Sequence, residues 1–84
     1  MRLDLFLKKS LVFKQRSLAQ TACEKGCILV NYQPAKPAKE IKIGDLIEIR
    51  LAESTTLLKI VEIPTGNVSR EKARELYQIL DRSP

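Results

Sequence analysis

The chain contains no histidine and no tryptophan, and its 84 residues include only three glycines and two cysteines. Without histidine it lacks the side chain that most often transfers protons near neutral pH. Cys23 and Cys27 have no second cysteine pair to complete a zinc site, so we expect two reduced thiols and no bound metal. The sequence has no glycine-rich phosphate loop and no G-x-S-x-G motif. These absences argue against an enzyme and against a cofactor.

Long apolar runs are missing as well. The first ten residues, MRLDLFLKKS, have no apolar core of signal-peptide length, and no segment approaches the roughly 20 residues of a membrane span. We therefore expect a cytoplasmic protein without membrane contact. A chain of this length is expected to form one domain over residues 1–84 and, as the simplest case, a monomer.

Positive charge is present, and it is concentrated in the first half of the chain. The formal net charge is +5. Residues 1–39 carry eight Lys or Arg against two acidic residues, whereas residues 40–84 carry seven against eight. A one-sided excess of this kind is typical of proteins that bind a polyanion such as nucleic acid.

Two short helices are predicted in this basic half. The apolar residues at helical spacing in the first are Leu3, Phe6, Leu7 and Leu11. They predict a helix over about residues 3–11. A second helix begins near residues 15–17, where Ser17 and Gln20 have the spacing of a capping box, and ends at Gly26.

The rest of the chain has the pattern of a small sheet. Strands are predicted at 27–30, 46–51 and 57–63, and the last two are joined as a hairpin. Pro34 and Pro37 restrict the stretch between them to a sheet edge or an irregular segment. A final helix is predicted from the N-cap Ser69, with an apolar side formed by Ala73, Leu76, Tyr77 and Leu80. The fold class is therefore α+β, with two short helices packed on a mostly antiparallel sheet and closed by a C-terminal helix.

The candidate binding residues are cationic, together with one aromatic. They are Arg2, Lys8, Lys9, Lys14, Arg16, Tyr32 and Lys36. Arg16 lies at the predicted start of the second helix, where backbone N–H groups favour an anion and a guanidinium can grip a phosphate at two points. Tyr32, in a turn, is placed to stack on a base. Asp4 is interpreted as a helix cap or as the partner of a nearby arginine.

These residues form a recognisable order of motifs. The chain reads Arg2-Leu3-Asp4-x-x-Leu7, Lys14-x-Arg16-x-x-Ala19, Gly26-x-x-x-Val30-Asn31 and Gly44-Asp45-x-Ile47. This order resembles the RNA-binding domain of ribosomal protein S4, with its alpha-L motif, over about residues 1–51. Residues 52–84 would add a strand and the closing helix. The family turn often reads Asn-Gly, whereas here it reads Asn31-Tyr32, so we expect a different backbone conformation there.

Among free-standing domains of this size, the chain resembles bacterial ribosome-associated quality-control proteins and, less closely, the fifteen-kilodalton heat-shock proteins. The resemblance implies binding to rRNA and peptidyl-tRNA on an obstructed large ribosomal subunit. There the protein would assist a partner factor that adds a C-terminal tail to the stalled chain. Arg2 and Arg16 would hold RNA, supported by Lys8, Lys9 and Lys14.

Three alternatives stay open at this point. The first is a heat-shock-type ribosome recycling factor that binds rRNA in general. The second is a detached targeting domain of an RNA-modifying enzyme such as a pseudouridine synthase. The third is a protein–protein adaptor that uses an apolar sheet edge.

Overall fold

A computed structural model describes residues 1–83. The helices are α1 (Leu3–Lys9), α2 (Arg16–Glu24) and α3 (Arg70–Arg74), and the strands are β1 (Ile28–Val30), β2 (Gln33–Pro34), β3 (Leu46–Arg50), β4 (Thr55–Ile60) and β5 (Tyr77–Ser83). The strands form one antiparallel sheet in the order β2-β1-β3-β4-β5. The predicted α+β class, the two N-terminal helices and the β3–β4 hairpin are confirmed. The first helix ends two residues earlier than predicted, and Leu11, expected on its apolar face, lies outside it with a φ of +60° and is exposed.

The core lies between the first two helices and one face of the sheet. It is formed by Leu3, Phe6 and Leu7 of α1, Ala19, Ala22 and Cys23 of α2, and Ile28, Val30, Ile47, Ile49, Leu58 and Ile60 of the strands. Alternate residues of β3 and β4 point into this core, as the period of a pleated strand requires. The helices are therefore fixed on the sheet through a contiguous apolar layer.

The predicted C-terminal helix is wrong over most of its length. Ser69 is the N-cap as predicted, and its hydroxyl oxygen accepts a hydrogen bond from the Lys72 N–H at 3.1 Å. The helix nevertheless ends at Arg74, and Tyr77 begins a strand that pairs with β4 opposite Ile60. Leu80, expected on the apolar helix side, is instead the extra residue at an irregularity in β5 and is exposed.

The turn between β1 and β2 also corrects an expectation. Asn31 and Tyr32 both have positive φ, at +50° and +69°, which is the conformation usual for Asn-Gly turns. The side chain of Asn31 fixes the turn, because its amide donates to Asp45 at 3.2 Å and its oxygen accepts from the Leu46 N–H at 3.0 Å. Tyr32 therefore takes a conformation that bulky residues rarely adopt.

The start of α1 is held by the segment before β3. The N–H of Leu3 donates to the Lys39 carbonyl at 2.8 Å, and that of Asp4 donates to the Pro37 carbonyl at 3.1 Å. Two of the N–H groups that a helix N-terminus leaves unpaired are thus satisfied by this segment. As a result, residues 37–39 lie directly beside Arg2.

Candidate nucleic-acid interface

A fully buried carboxylate joins the two arginines singled out by the sequence. Asp4 Oδ1 accepts from Arg2 Nε at 3.2 Å and from Arg16 Nη2 at 3.4 Å, while Oδ2 accepts from Arg2 Nη2 at 3.1 Å. Arg16 Nε lies 3.2 Å from Oδ2 but is off the line of a hydrogen bond, so this contact is an ion pair only. The interpretation of Asp4 as the partner of a nearby arginine is confirmed.

Two further donors complete the surroundings of this carboxylate. Gln20 Nε2 donates to Oδ2 at 2.8 Å, and the Leu5 N–H donates to Oδ1 at 2.8 Å. Burial raises the pKa of Asp4, but the hydrogen bonds from Gln20, Arg16 and Arg2 outweigh it, and the pKa lies below its usual value. Asp4 is therefore an anion at neutral pH. We call Arg2, Asp4, Arg16 and Gln20 the Asp4 cluster.

Local structure explains why these four side chains meet. Asp4 lies in the first turn of α1, immediately after Arg2 and Leu3, and Arg16 is the first residue of α2. Gln20 follows Arg16 by four residues and thus projects from the same face of α2. The predicted Ser17–Gln20 capping box is wrong, because the N-cap is Gln15 and the Gln20 side chain bonds Asp4 instead.

The Asp4 cluster leaves positive charge facing solvent. It contains two guanidinium groups and one carboxylate, and the side chains of Arg2 and Arg16 are 47% and 41% exposed whereas Asp4 is not exposed at all. Within residues 1–83, Nη1 of neither arginine makes a hydrogen bond. Each guanidinium is thus held on one side and presents donors on the other. This arrangement suits a phosphate group, which accepts several charge-assisted hydrogen bonds.

The start of α2 adds to this positive potential. Gln15 makes no side-chain capping bond, and the first turn contains no acidic residue. The N-terminal end of the helix dipole is therefore not neutralised by its own side chains. Exposed Lys14 precedes Arg16 by two residues. Lys14 and Arg16 thus flank a helix end that favours an anion.

The remaining predicted cations lie outside the Asp4 cluster. Lys8 and Lys9 occupy the last turn of α1 and are half-buried. The ammonium of Lys9 donates to the Gly66 carbonyl at 2.6 Å, which links α1 to the segment before α3. Lys9 therefore has a structural contact that the sequence does not indicate.

Tyr32 lies in the turn before the edge strand β2, and Lys36 lies in the segment that follows it. Both side chains are exposed, as the sequence predicts for Tyr32. The sequence reasoning missed Lys39, whose carbonyl bonds the first residue of α1 and places it beside Arg2. The sequence did contain an indication of this positive surface, because Lys39 ends a run from Asn31 that contains no acidic residue.

The cysteines do not form a site. Both are free, and burial raises the pKa of the Cys23 thiol to about 11. A thiol with this pKa is a poor nucleophile and metal ligand near neutral pH. Within residues 1–83, no group of three or more potential metal ligands is gathered. None of the helices in that range has the length and apolar character needed to cross a bilayer.

Comparison with known proteins identifies the family of the segment that carries the Asp4 cluster. Residues 1–47 match the family model described as S4 domain. The chain is 38% identical over its whole length to the "RQC P-site tRNA stabilizing factor" of Halalkalibacterium halodurans, covering 94% of that protein. It is 41% identical over 95% of its length to the protein of the same name from Listeria innocua, covering 86% of it.

A solved structure extends the comparison to three dimensions. The trimeric structure of heat shock protein 15 from Vibrio cholerae superposes with a TM-score of 0.86 and 33% identity, covering 94% of this chain and 80% of that one. The chain belongs to the S4 domain family of RNA-binding proteins, and within it to the group whose curated members are named RQC P-site tRNA stabilizing factor.

Proposed function

We propose that this protein binds large ribosomal subunits that still carry peptidyl-tRNA after translation has stalled. It would contact rRNA and tRNA and hold the tRNA in place while a partner factor extends the C-terminal tail of the stalled chain. The observation that carries this proposal is the Asp4 cluster, in which a buried carboxylate holds two arginines whose guanidinium groups are partly exposed to solvent. The names of the relatives, which refer to P-site tRNA, support the choice of a ribosomal ligand.

The mechanism is occupancy rather than chemistry. Arg2 and Arg16 would grip phosphate groups with the guanidinium nitrogens that Asp4 leaves available, and Lys14 would add charge at the start of α2. Such contacts recognise RNA backbone and shape rather than base identity. Binding energy from this face then stabilises one tRNA position.

Arginine-to-alanine variants test the proposal. Arg2→Ala and Arg16→Ala are expected to weaken co-sedimentation with obstructed large subunits, because each removes a positioned phosphate donor. Arg74→Ala is the matched control, since Arg74 is also an exposed arginine but lies in α3 rather than in the Asp4 cluster. Circular dichroism spectra should match those of the parent. Unchanged co-sedimentation of both cluster variants would contradict the proposal.

A second candidate function is general rRNA binding of the heat-shock type, which the structural similarity to heat shock protein 15 favours. This candidate predicts equal affinity for empty and obstructed subunits.

The monomeric state expected for this chain needs its own measurement, by light scattering during size-exclusion chromatography, because the solved structure of heat shock protein 15 from Vibrio cholerae is trimeric.

A further inference from the structure

A second cationic surface lies beside the β1–β2 hairpin. A cleft of about 580 Å³ opens between this hairpin and residues 35–39, lined among others by Val30, Gln33, Pro34, Ala35, Lys36 and Lys39. Its volume is in the range of about 300–1,000 Å³ that is typical of small-ligand sites. The lining combines two lysines with an apolar floor and includes no acidic residue.

Within residues 1–83 no acidic residue forms an ion pair with either lysine, although Glu24 lines a neighbouring cleft together with Lys36. The carboxylate of Glu40 is paired with the N-terminal ammonium of Met1. Asp45 is buried and accepts hydrogen bonds from the Asn31 amide and from the Lys42 N–H. Lys36 and Lys39 therefore keep an attraction for anions at the cleft.

Tyr32 lies in the hairpin turn next to this cleft and has an unusual backbone conformation. It lies between the lining residues Asn31 and Gln33, has a φ of +69°, and is 62% exposed. Its ring is outside the hydrophobic core, so core packing does not explain an aromatic residue at a position that favours glycine. Backbone strain of this kind is concentrated at functional sites.

The cleft is joined to the Asp4 cluster through the backbone. The carbonyls of Lys39 and Pro37 hold the first turn of α1, so Lys39 lies next to Arg2. The cleft residue Lys39 and the cluster residue Arg2 are therefore neighbours.

We infer that the cleft binds an unpaired nucleotide of the RNA, with its base against Tyr32 and its flanking phosphates on Lys36 and Lys39. The inference rests on the proposed RNA binding and specifies the class of RNA: a loop or bulge beside a helical segment. Bases splayed from such loops stack on aromatic rings, which a blunt duplex does not permit. The Asp4 cluster contacts the backbone, and the cleft selects for unpaired structure.

Two RNA probes of equal length test the inference. One is a hairpin with 2-aminopurine in its loop, and the other is a blunt duplex with the same number of phosphates. The parent protein is expected to bind the hairpin more tightly and to change the 2-aminopurine fluorescence. The double variant Lys36→Gln/Lys39→Gln and the variant Tyr32→Gly should each lose that preference. For Tyr32→Gly we expect about 5- to 150-fold weaker hairpin binding, the range that corresponds to one stacked base.

Two controls separate this effect from charge and from misfolding. Lys25→Gln/Lys42→Gln removes the same charge outside the cleft lining and should keep the hairpin preference. Tyr32→Gly should unfold at the same or a higher temperature than the parent, because glycine adopts positive φ without strain. Loss of hairpin binding without loss of stability then identifies a contact of the ring.

The failures of the two proposals are distinguishable. Equal binding of the parent to hairpin and duplex would overturn the nucleotide cleft while leaving RNA binding intact. Equal effects of the two double-lysine variants would also overturn it, since only charge would then matter. Absence of binding to both probes and to large subunits would overturn the proposed function itself.

Discussion

Replacing the buried carboxylate by its neutral amide, Asp4→Asn, separates positioning from net charge. The change deletes an anion that pairs with Arg2 and Arg16, and it places an amide donor against guanidinium donors. Hydrogen bonds to charged groups contribute about 1.5–3 kcal/mol each in mutational data. Because both arginines are nearly half exposed, water compensates in part, and we expect a loss of about 1.5–2 kcal/mol in the free energy of unfolding.

The effect on RNA affinity has opposite signs under two explanations. If Asp4 only repels RNA, its removal raises the net charge by one and should tighten binding and steepen the salt dependence. If Asp4 positions the two arginines, the variant should bind more weakly despite the added charge. We expect binding weaker by about tenfold or more at fixed salt, which corresponds to about 1.4 kcal/mol.

The assay is co-sedimentation with obstructed large subunits across a salt series, at a temperature where urea unfolding shows each variant folded. Glu48→Gln is the matched control, because Glu48 also pairs with an arginine, Arg50. Glu48 lies between the core-facing residues Ile47 and Ile49 of β3, so its side chain is on the opposite face of the sheet. It changes net charge equally and should not weaken binding. Binding by Asp4→Asn that equals or exceeds that of Glu48→Gln would refute the positioning role.

Two further predictions concern stability. The folded pKa of Asp4 lies below its ordinary value of 3.8, so its stabilising contribution is present above pH 3.8 and is lost as pH falls through the folded pKa. The difference in unfolding free energy between the parent and Asp4→Asn should therefore shrink below pH 3.8 in urea titrations; a constant difference would contradict the shift. Gly26→Ala should cost about 1 kcal/mol, because φ is +78° although an added Cβ meets no atom within 4 Å. Thermal unfolding should show a decrease in Tm of roughly 4–8 °C. An unchanged Tm would show that the positive φ of Gly26 does not strain an alanine at this position.

The parts of the fold that depend on local signals were predictable from the sequence. Gly26 takes positive φ after α2, and Ser69 caps α3, because each position depends on its immediate neighbours. The C-terminal strand was not predictable in this way. Tyr77 and Leu80 have a spacing compatible with a helix face, but the edge of β4 pairs with this segment and local periodicity does not report that long-range contact.

In the candidate site, too, the residues were predictable from the sequence whereas their long-range contacts were not. Composition and motif order identify Arg2 and Arg16 as candidate binding residues, and their shared bond to Asp4 depends on the packing of α1 against α2. Gln20 was assigned to a local cap because the spacing from Ser17 fits one, whereas its bond reaches across 16 residues to Asp4. Side-chain contacts between elements are set by tertiary packing, so a single sequence identifies the participants better than their partners.

The most direct test of ribosome binding through the Asp4 cluster is the salt dependence of binding by the parent protein to empty large subunits and to subunits obstructed by peptidyl-tRNA. Each phosphate contact should add about 0.7–0.9 to the slope of log affinity against log salt concentration. We expect salt-sensitive binding that is tighter for obstructed subunits. Equal affinity for both would reduce the protein to a general rRNA-binding domain, and binding that ignores salt would contradict the central role of the arginines.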